Sequence, residues 1–214
     1  MDEASKVFHR SLFLAGPAGK LEASLWTTGS AGFSHTALVC HPHPLYGGTM
    51  HNKVVFQAAK SLHRAGLPVL RFNFRGVGLS EGAHDKGDGE QDDVLAALDF
   101  LAGQFGAKPV VLAGFSFGSR VGLRVGAGDS RVSHLIGIGI PVNDSDFSFL
   151  RGCTKPKLFV VGSQDQFANR ELVEKVVASF DEPKKLVIVE DGDHFLTGKL
   201  GLLDHAIKDW IETL

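Results

Sequence analysis

Residues 37–40, 69–72, 110–113, 135–140, 158–161 and 186–189 form short, nearly continuous apolar runs rich in Val, Ile and Leu. Apolarity that does not alternate is expected of strands buried on both faces, as in the middle of a parallel sheet. Helical stripes lie between the runs. After Asn52, the residues Val54, Val55, Ala58, Ala59, Leu62 and Ala65 fall on one face, and Gly66 and Pro68 close the segment. Glu90, Asp92 and Asp93 suit the positive end of a second helix dipole, with a stripe at Val94, Ala97, Leu98 and Leu101. A third helix starts at Ser116. A fourth follows Asn169 with Leu172, Val173, Val176, Val177 and Phe180, and the last carries Leu203, Ala206, Ile207, Trp210, Ile211 and Leu214. The opening differs: 7–14 and 21–26 read as two strands joined by Gly16-Pro17-Ala18-Gly19. The pattern predicts an α/β fold, a doubly wound, mostly parallel sheet with an N-terminal antiparallel hairpin, spanning residues 1–214 as one domain. Loops leaving the carboxyl ends of such strands share one edge, where ligands bind.

The joint between two of the strands, 141–156, is short. About fifteen residues are too few for an independent lid, so an open site is expected. Phe147, Phe149 and Leu150 within it either fold over the site as a small flap or pack into the core.

Composition narrows the classes. The chain has 214 residues, 43% of them hydrophobic and 21% charged, with a formal net charge of −2, so no strong field of either sign invites nucleic acid or an anionic membrane. The longest apolar runs fall short of a membrane span. Met1-Asp2-Glu3-Ala4-Ser5 lacks the basic flank of a leader. Of the two cysteines, Cys40 sits in an apolar run and reads as a small buried hydrophobe, and neither it nor Cys153 demands an oxidising compartment. A cytoplasmic location is the expectation.

Gly114-Phe115-Ser116-Phe117-Gly118 stands between an apolar run and a helical segment. A G-x-S-x-G sequence in that context is a nucleophile elbow: the serine sits in a strained turn that lifts its hydroxyl clear of the sheet, and glycines flank it where side chains would collide. Alone it is also consistent with a closely packed turn. Its partners decide, because a serine hydroxyl needs a histidine to take its proton and a carboxylate to orient that histidine. Asp165 follows one strand at once and His194 follows the next, in the chain order Ser, Asp, His. Asp191 and Asp193 compete as the acid, but a neighbour of His194 reaches its far ring nitrogen poorly. His41 and His43 form an H-x-H pair near His51, yet no third and fourth ligand stand at metal spacing, so no metal is expected. Gly76-Val77-Gly78 lacks a phosphate-loop continuation and reads as a tight turn. Gly118, Gly122 and Gly126 recur every four residues, which points to close helix packing.

Two further stretches carry a resemblance. The segment His41-Pro42-His43-Pro44-Leu45-Tyr46-Gly47-Gly48-Thr49-Met50 resembles the signature of a small lidless branch of the α/β-hydrolase superfamily, predicted esterases related to dienelactone hydrolases, and residues 71–82 resemble the loop after the following strand. Dienelactone hydrolases proper use a cysteine nucleophile, and this chain has Ser116. The resemblance implies an oxyanion hole made by the backbone N–H groups of Phe117 and Leu45, with His43 and Tyr46 as alternatives to Leu45, since Pro42 and Pro44 have no N–H. The expected activity is hydrolysis of small carboxylic esters through an acyl-enzyme, without a cofactor. Thioester or amide cleavage by the same triad, or a silent binding scaffold, are the alternatives.

Overall fold

A computed structural model of the chain describes residues 7–28 and 32–212. The chain opens with the hairpin β1 (Val7–Gly16) and β2 (Gly19–Thr28). It continues β3 (Thr36–Cys40), α1 (Lys53–Arg64), β4 (Val69–Phe72), α2 (Gly89–Phe105), β5 (Val110–Phe115), α3 (Phe117–Gly128), β6 (Val132–Ile138), β7 (Lys157–Gly162), α4 (Arg170–Ala178), β8 (Lys184–Val189) and α5 (Leu200–Ile211). The eight strands lie in the order β1-β2-β4-β3-β5-β6-β7-β8. β2 is antiparallel to β1 and β4, and every other pairing is parallel.

The apolar runs are continuous because alternate residues feed two separate cores. Ala37, Val39, Val111, Ala113, Ile136, Ile138, Leu158 and Val160 pack with α1 and α5 on one face. Leu38, Cys40, Leu112, Leu135, Phe159 and Val161 pack with α2, α3 and α4 on the other. Burying each Leu, Val or Phe contributes about 1.5–3 kcal/mol relative to exposure, so both faces are strongly specified. Asn52 and Asn169 cap α1 and α4, their side-chain oxygens accepting the N–H groups of Val54 and Leu172 at 2.9 and 3.2 Å.

Some boundaries depart from the sequence expectation. The strand expected at 135–140 runs from Val132 to Ile138. Ser133 and His134 hide its start because it is only half-buried there, and Gly139 at φ 51° turns the chain out early. Short 3-10 turns at Pro44–Tyr46 and Ser148–Leu150 carried no legible period. In the 141–156 joint, Phe147 and Leu150 are buried in the core, and Phe149 packs on the Arg124 guanidinium at 4.5 Å, so none of the three forms a flap. Among the described residues no helix is long and apolar enough to cross a membrane.

Candidate active site

β5 ends in the turn that presents Ser116. Its backbone is at φ 54°, ψ −120°, a conformation that an L-residue adopts only at a cost of about 1–3 kcal/mol. Ser116 also occupies the N-cap position of α3, where a serine hydroxyl ordinarily accepts a helix N–H, but here it makes no such bond. The strained turn therefore frees the hydroxyl from capping. Both flanking glycines are sterically required. A Cβ on Gly114 would collide with the Gly118 carbonyl, and one on Gly118 would collide with the carbonyls of Cys40 and His41. The second contact is with β3, so the elbow is wedged between strands as well as folded on itself. Gly122 and Gly126 extend the close approach, their α-carbons facing Leu112, Cys40 and Leu135.

The loops after β7 and β8 are pressed together backbone to backbone. A Cβ on Gly162 would strike the Gly192 carbonyl, and the Gln164 N–H donates to that same carbonyl at 2.8 Å. This contact fixes Asp165 against His194: Asp165 Oδ2 lies 2.7 Å from His194 Nδ1, with both side chains buried. The other Asp165 oxygen accepts the Phe167 N–H at 2.8 Å. The His194 ring is held by Phe115, Phe167 and Phe195, with ring centres 4.7–5.3 Å away. Asp193 turns away to accept the Thr197 N–H at 2.7 Å, and that bond, with burial opposing it, holds its carboxyl below the ordinary value. Asp191 stands at φ 51°, its N–H given to Ser163 Oγ at 2.8 Å. Neither carboxylate hydrogen-bonds the His194 ring.

The loop after β3 is anchored by His41, which is fully buried. Its Nδ1 lies 2.6 Å from the Pro42 carbonyl, which requires the proton there, and its Nε2 accepts the Phe74 N–H at 3.0 Å. Burial pushes its pKa down to about 4. With both nitrogens engaged, His41 is a tie between the β3 and β4 loops. Among the described residues no group of three or more His, Cys, Asp or Glu side chains is arranged to hold a metal ion. Gly47, at φ 75°, ends the 3-10 turn, and Gly48 folds against the Pro42 carbonyl. These two glycines therefore close the loop on itself.

Leu45 is the site residue whose expected role conflicts with its surroundings. Its N–H donates to His43 Nδ1 at 3.2 Å, its side chain is 69% exposed, and it does not line the cleft that contains Ser116. The turn at Pro44–Tyr46 rotates its amide back onto the loop. On the same loop the His43 N–H makes no hydrogen bond to any described residue, and the same is true of the Phe117 N–H. The two rings are 4.9 Å apart at the cleft wall.

Ser116, Phe117 and His194 share one cleft of about 610 Å³, open to solvent along the carboxyl edge of the sheet. Its walls also include Asn52, His84, Lys86, Arg120, Gln166, Phe167 and Phe195. The sequence reading missed these. Arg120 alone left a signal, since a cation in the first turn of a helix opposes the dipole.

A sequence model of the family described as an α/β hydrolase domain matches residues 36–201. An uncharacterized protein of Rickettsia prowazekii is 35% identical over 95% of this chain and 89% of its own length. A crystal structure from Xanthomonas campestris, described as an α/β serine hydrolase without a lid, has a TM-score of 0.87 and 36% identity over 96% of this chain and 94% of that one. A structure from Coxiella burnetii, described as an α-β serine hydrolase homologue, has the same TM-score at 38% identity, covering 94% of this chain and 96% of its own. With a matching family model over most of its length, the same sheet and helices, and no lid between β6 and β7, the chain belongs to the small lidless branch of the α/β-hydrolase family.

Proposed function

We propose that the protein is a serine hydrolase that cleaves small carboxylic esters through an acyl-enzyme. The observation that carries this reading is the 2.7 Å contact from Asp165 to His194 beside the strained Ser116 in one open cleft. The Asp165 carboxylate fixes the proton of His194 on Nδ1, which leaves Nε2 to accept the Ser116 proton. Ser116 Oγ attacks the carbonyl carbon, and the carbonyl oxygen becomes an oxyanion. Two backbone donors receive it: the Phe117 N–H at the start of α3 and the His43 N–H, which replaces Leu45 because it is unspent. Each such donor contributes about 3 kcal/mol where measured. His194 then gives its proton to the departing alcohol. A water, deprotonated by the same ring, attacks the acyl carbon and frees the acid and Ser116. The hydrolase relatives support the reaction class.

A fluorophosphonate probe tests this directly, with 4-nitrophenyl butyrate turnover measured in parallel. Labelling should map to Ser116, and Ser116→Ala should lose both labelling and turnover while unfolding as the wild type does. Unlabelled Ser116 in a folded preparation would mean a silent scaffold.

A further inference from the structure

The steps above use Ser116, Asp165, His194 and two N–H groups. They leave unexplained two cations, Lys86 and Arg120, that line one flank of the cleft beside two imidazoles. His43, His84, Lys86 and Arg120 all face it. The first three come from the loops after β3 and β4, on one side of β5 in the strand order. Asp144, Phe167, His194 and Phe195 line it from the loops after β6, β7 and β8, on the other side. The cleft is therefore basic toward β4, while toward β8 the apolar Phe167 and Phe195 stand with the polar Asp144, Ser145 and Gln166 and, among the described residues, no cation.

Arg120 is the centre of the basic flank. It sits one turn after Ser116, its N–H bonded to the Ser116 carbonyl at 3.2 Å, where the α3 dipole disfavours a cation. The 84–87 loop is nonetheless shaped to hold it. Arg120 Nη2 donates to the Lys86 carbonyl at 2.5 Å, and Lys86 adopts φ 55°. A Cβ on Gly87 would occupy the place of the guanidinium. Buried Glu90 fastens the loop by accepting the N–H groups of Asp85 and Gly87 at 2.9 and 2.8 Å. Glu90 also lies 2.7 Å from His84 Nδ1, outside hydrogen-bonding geometry. The guanidinium stands 5.3 Å from the Phe117 ring centre, beside the residue that follows the nucleophile. Among the described residues neither Arg120 nor Lys86 pairs with a carboxylate, and Arg120 spends one of its five N–H donors on protein. A strained lysine, a required glycine and a cation set against a dipole are local costs of the kind a chain retains where the site needs them.

We propose that this flank is an acyl subsite for a carboxylate, with Arg120 as the specificity-determining residue and Lys86 as its support. The inference rests on the esterase reading. His194 must reach the leaving oxygen, so the alcohol lies toward Phe167 and Phe195, and the acyl group extends the opposite way, toward Arg120. The substrate class is then a monoester of a dicarboxylic acid with an apolar alcohol. Water splits it into the free alcohol and the dicarboxylate. The planar guanidinium fork matches a carboxylate and a neutral amide does not.

The test compares the monophenyl ester of adipic acid with its neutral isostere, in which the free carboxyl is a primary amide. Wild-type kcat/KM should favour the acid by about tenfold or more, as charge-assisted pairing implies. The ratio should shrink in 0.5 M NaCl. Arg120→Gln should bring it close to one, and Arg120→Lys should keep part of it. A wild-type ratio near one overturns the subsite and leaves the esterase reading standing, and this arm needs no variant. A strong preference that persists in Arg120→Gln removes Arg120 from the role and reduces it to a tie between α3 and the 84–87 loop. Failure of the wild type to hydrolyse either ester while it turns over 4-nitrophenyl butyrate would overturn the subsite alone, and failure on all three would overturn the esterase reading with it.

Discussion

Backbone packed on backbone places Ser116, Asp165 and His194, whereas on the opposite wall of the cleft the β3 and β4 loops are joined to each other by buried side chains. On the first wall the close contacts are Gly114 with Gly118, Gly118 with β3, and Gly162 with Gly192. On the second, His41 bonds to the Phe74 N–H, and Asn73 links the Met50 N–H at 2.7 Å to Glu22 at 2.8 Å. Arg75 is clamped to fully buried Asp93 at 2.8 Å. Glycine contacts tolerate no added atom and leave glycines at fixed spacings from strand ends. A side-chain network joins residues far apart in sequence and responds to pH. The first wall should thus carry the chemistry rigidly, and the second should carry selectivity and acid sensitivity.

The largest expected effect breaks the first wall. On the proposed mechanism, Ser116→Ala should lower kcat on a nitrophenyl ester by about 10⁵-fold or more, as loss of the serine does in serine-protease triads. Asp165→Asn should cost about 10⁴-fold, because the amide favours the wrong His194 tautomer. Asp191→Asn and Asp193→Asn should stay within about threefold of wild type, as loop substitutions away from the reacting groups do. A larger loss in either than in Asp165→Asn would reassign the acid.

The second wall is broken by acid. An unfolded imidazole takes up a proton as pH falls below 6.5, while buried His41 stays neutral down to about 4. Stability from His41 is therefore complete above pH 6.5 and is lost progressively as pH falls toward 4. The span corresponds to about 3 kcal/mol at 1.36 kcal/mol per pH unit. Urea titrations across this range should show the wild type losing stability more steeply than His41→Gln, so that the gap between them narrows toward pH 4. Parallel curves would mean that His41 does not govern the acid response.

The smallest expected effect sharpens the contrast between the walls. With Phe147, Phe149 and Leu150 packed away from the cleft, neutral acyl chains of increasing length should gain little burial. A covered groove would give about 0.8 kcal/mol, or roughly fourfold in kcat/KM, for each added methylene. The open cleft should give less than about twofold per methylene from two to eight carbons on the same burial argument. A rise of fourfold per methylene would show that a groove forms in solution, from this chain or a second copy.

Most of the fold was legible because its signal is local. The runs at 69–72 and 158–161 fall within β4 and β7, and Asn52 and Asn169 cap the helices they were read to open. Ser116, Asp165 and His194 were readable as candidates because each lies in the turn or loop that follows a strand whose end is visible. The loop after β3 was not readable to the residue: Pro44–Tyr46 turns by a 3-10 step without periodicity, and that step decides which amide is spent on His43. Nor was the basic flank readable. Lys86 and Arg120 are 34 residues apart, and only the β4–β3–β5 order brings them together.

What the sequence determined by itself was the doubly wound sheet, the absence of room for a lid and the residue types at three strand ends, because hydrophobic periodicity and tight-turn sterics act over a few residues. The tertiary structure decided which N–H groups remain free, which carboxylate meets His194, and that one side of the cleft is cationic. Those are properties of the distances between loops, and they exist only once both cores have packed and set the strands in order.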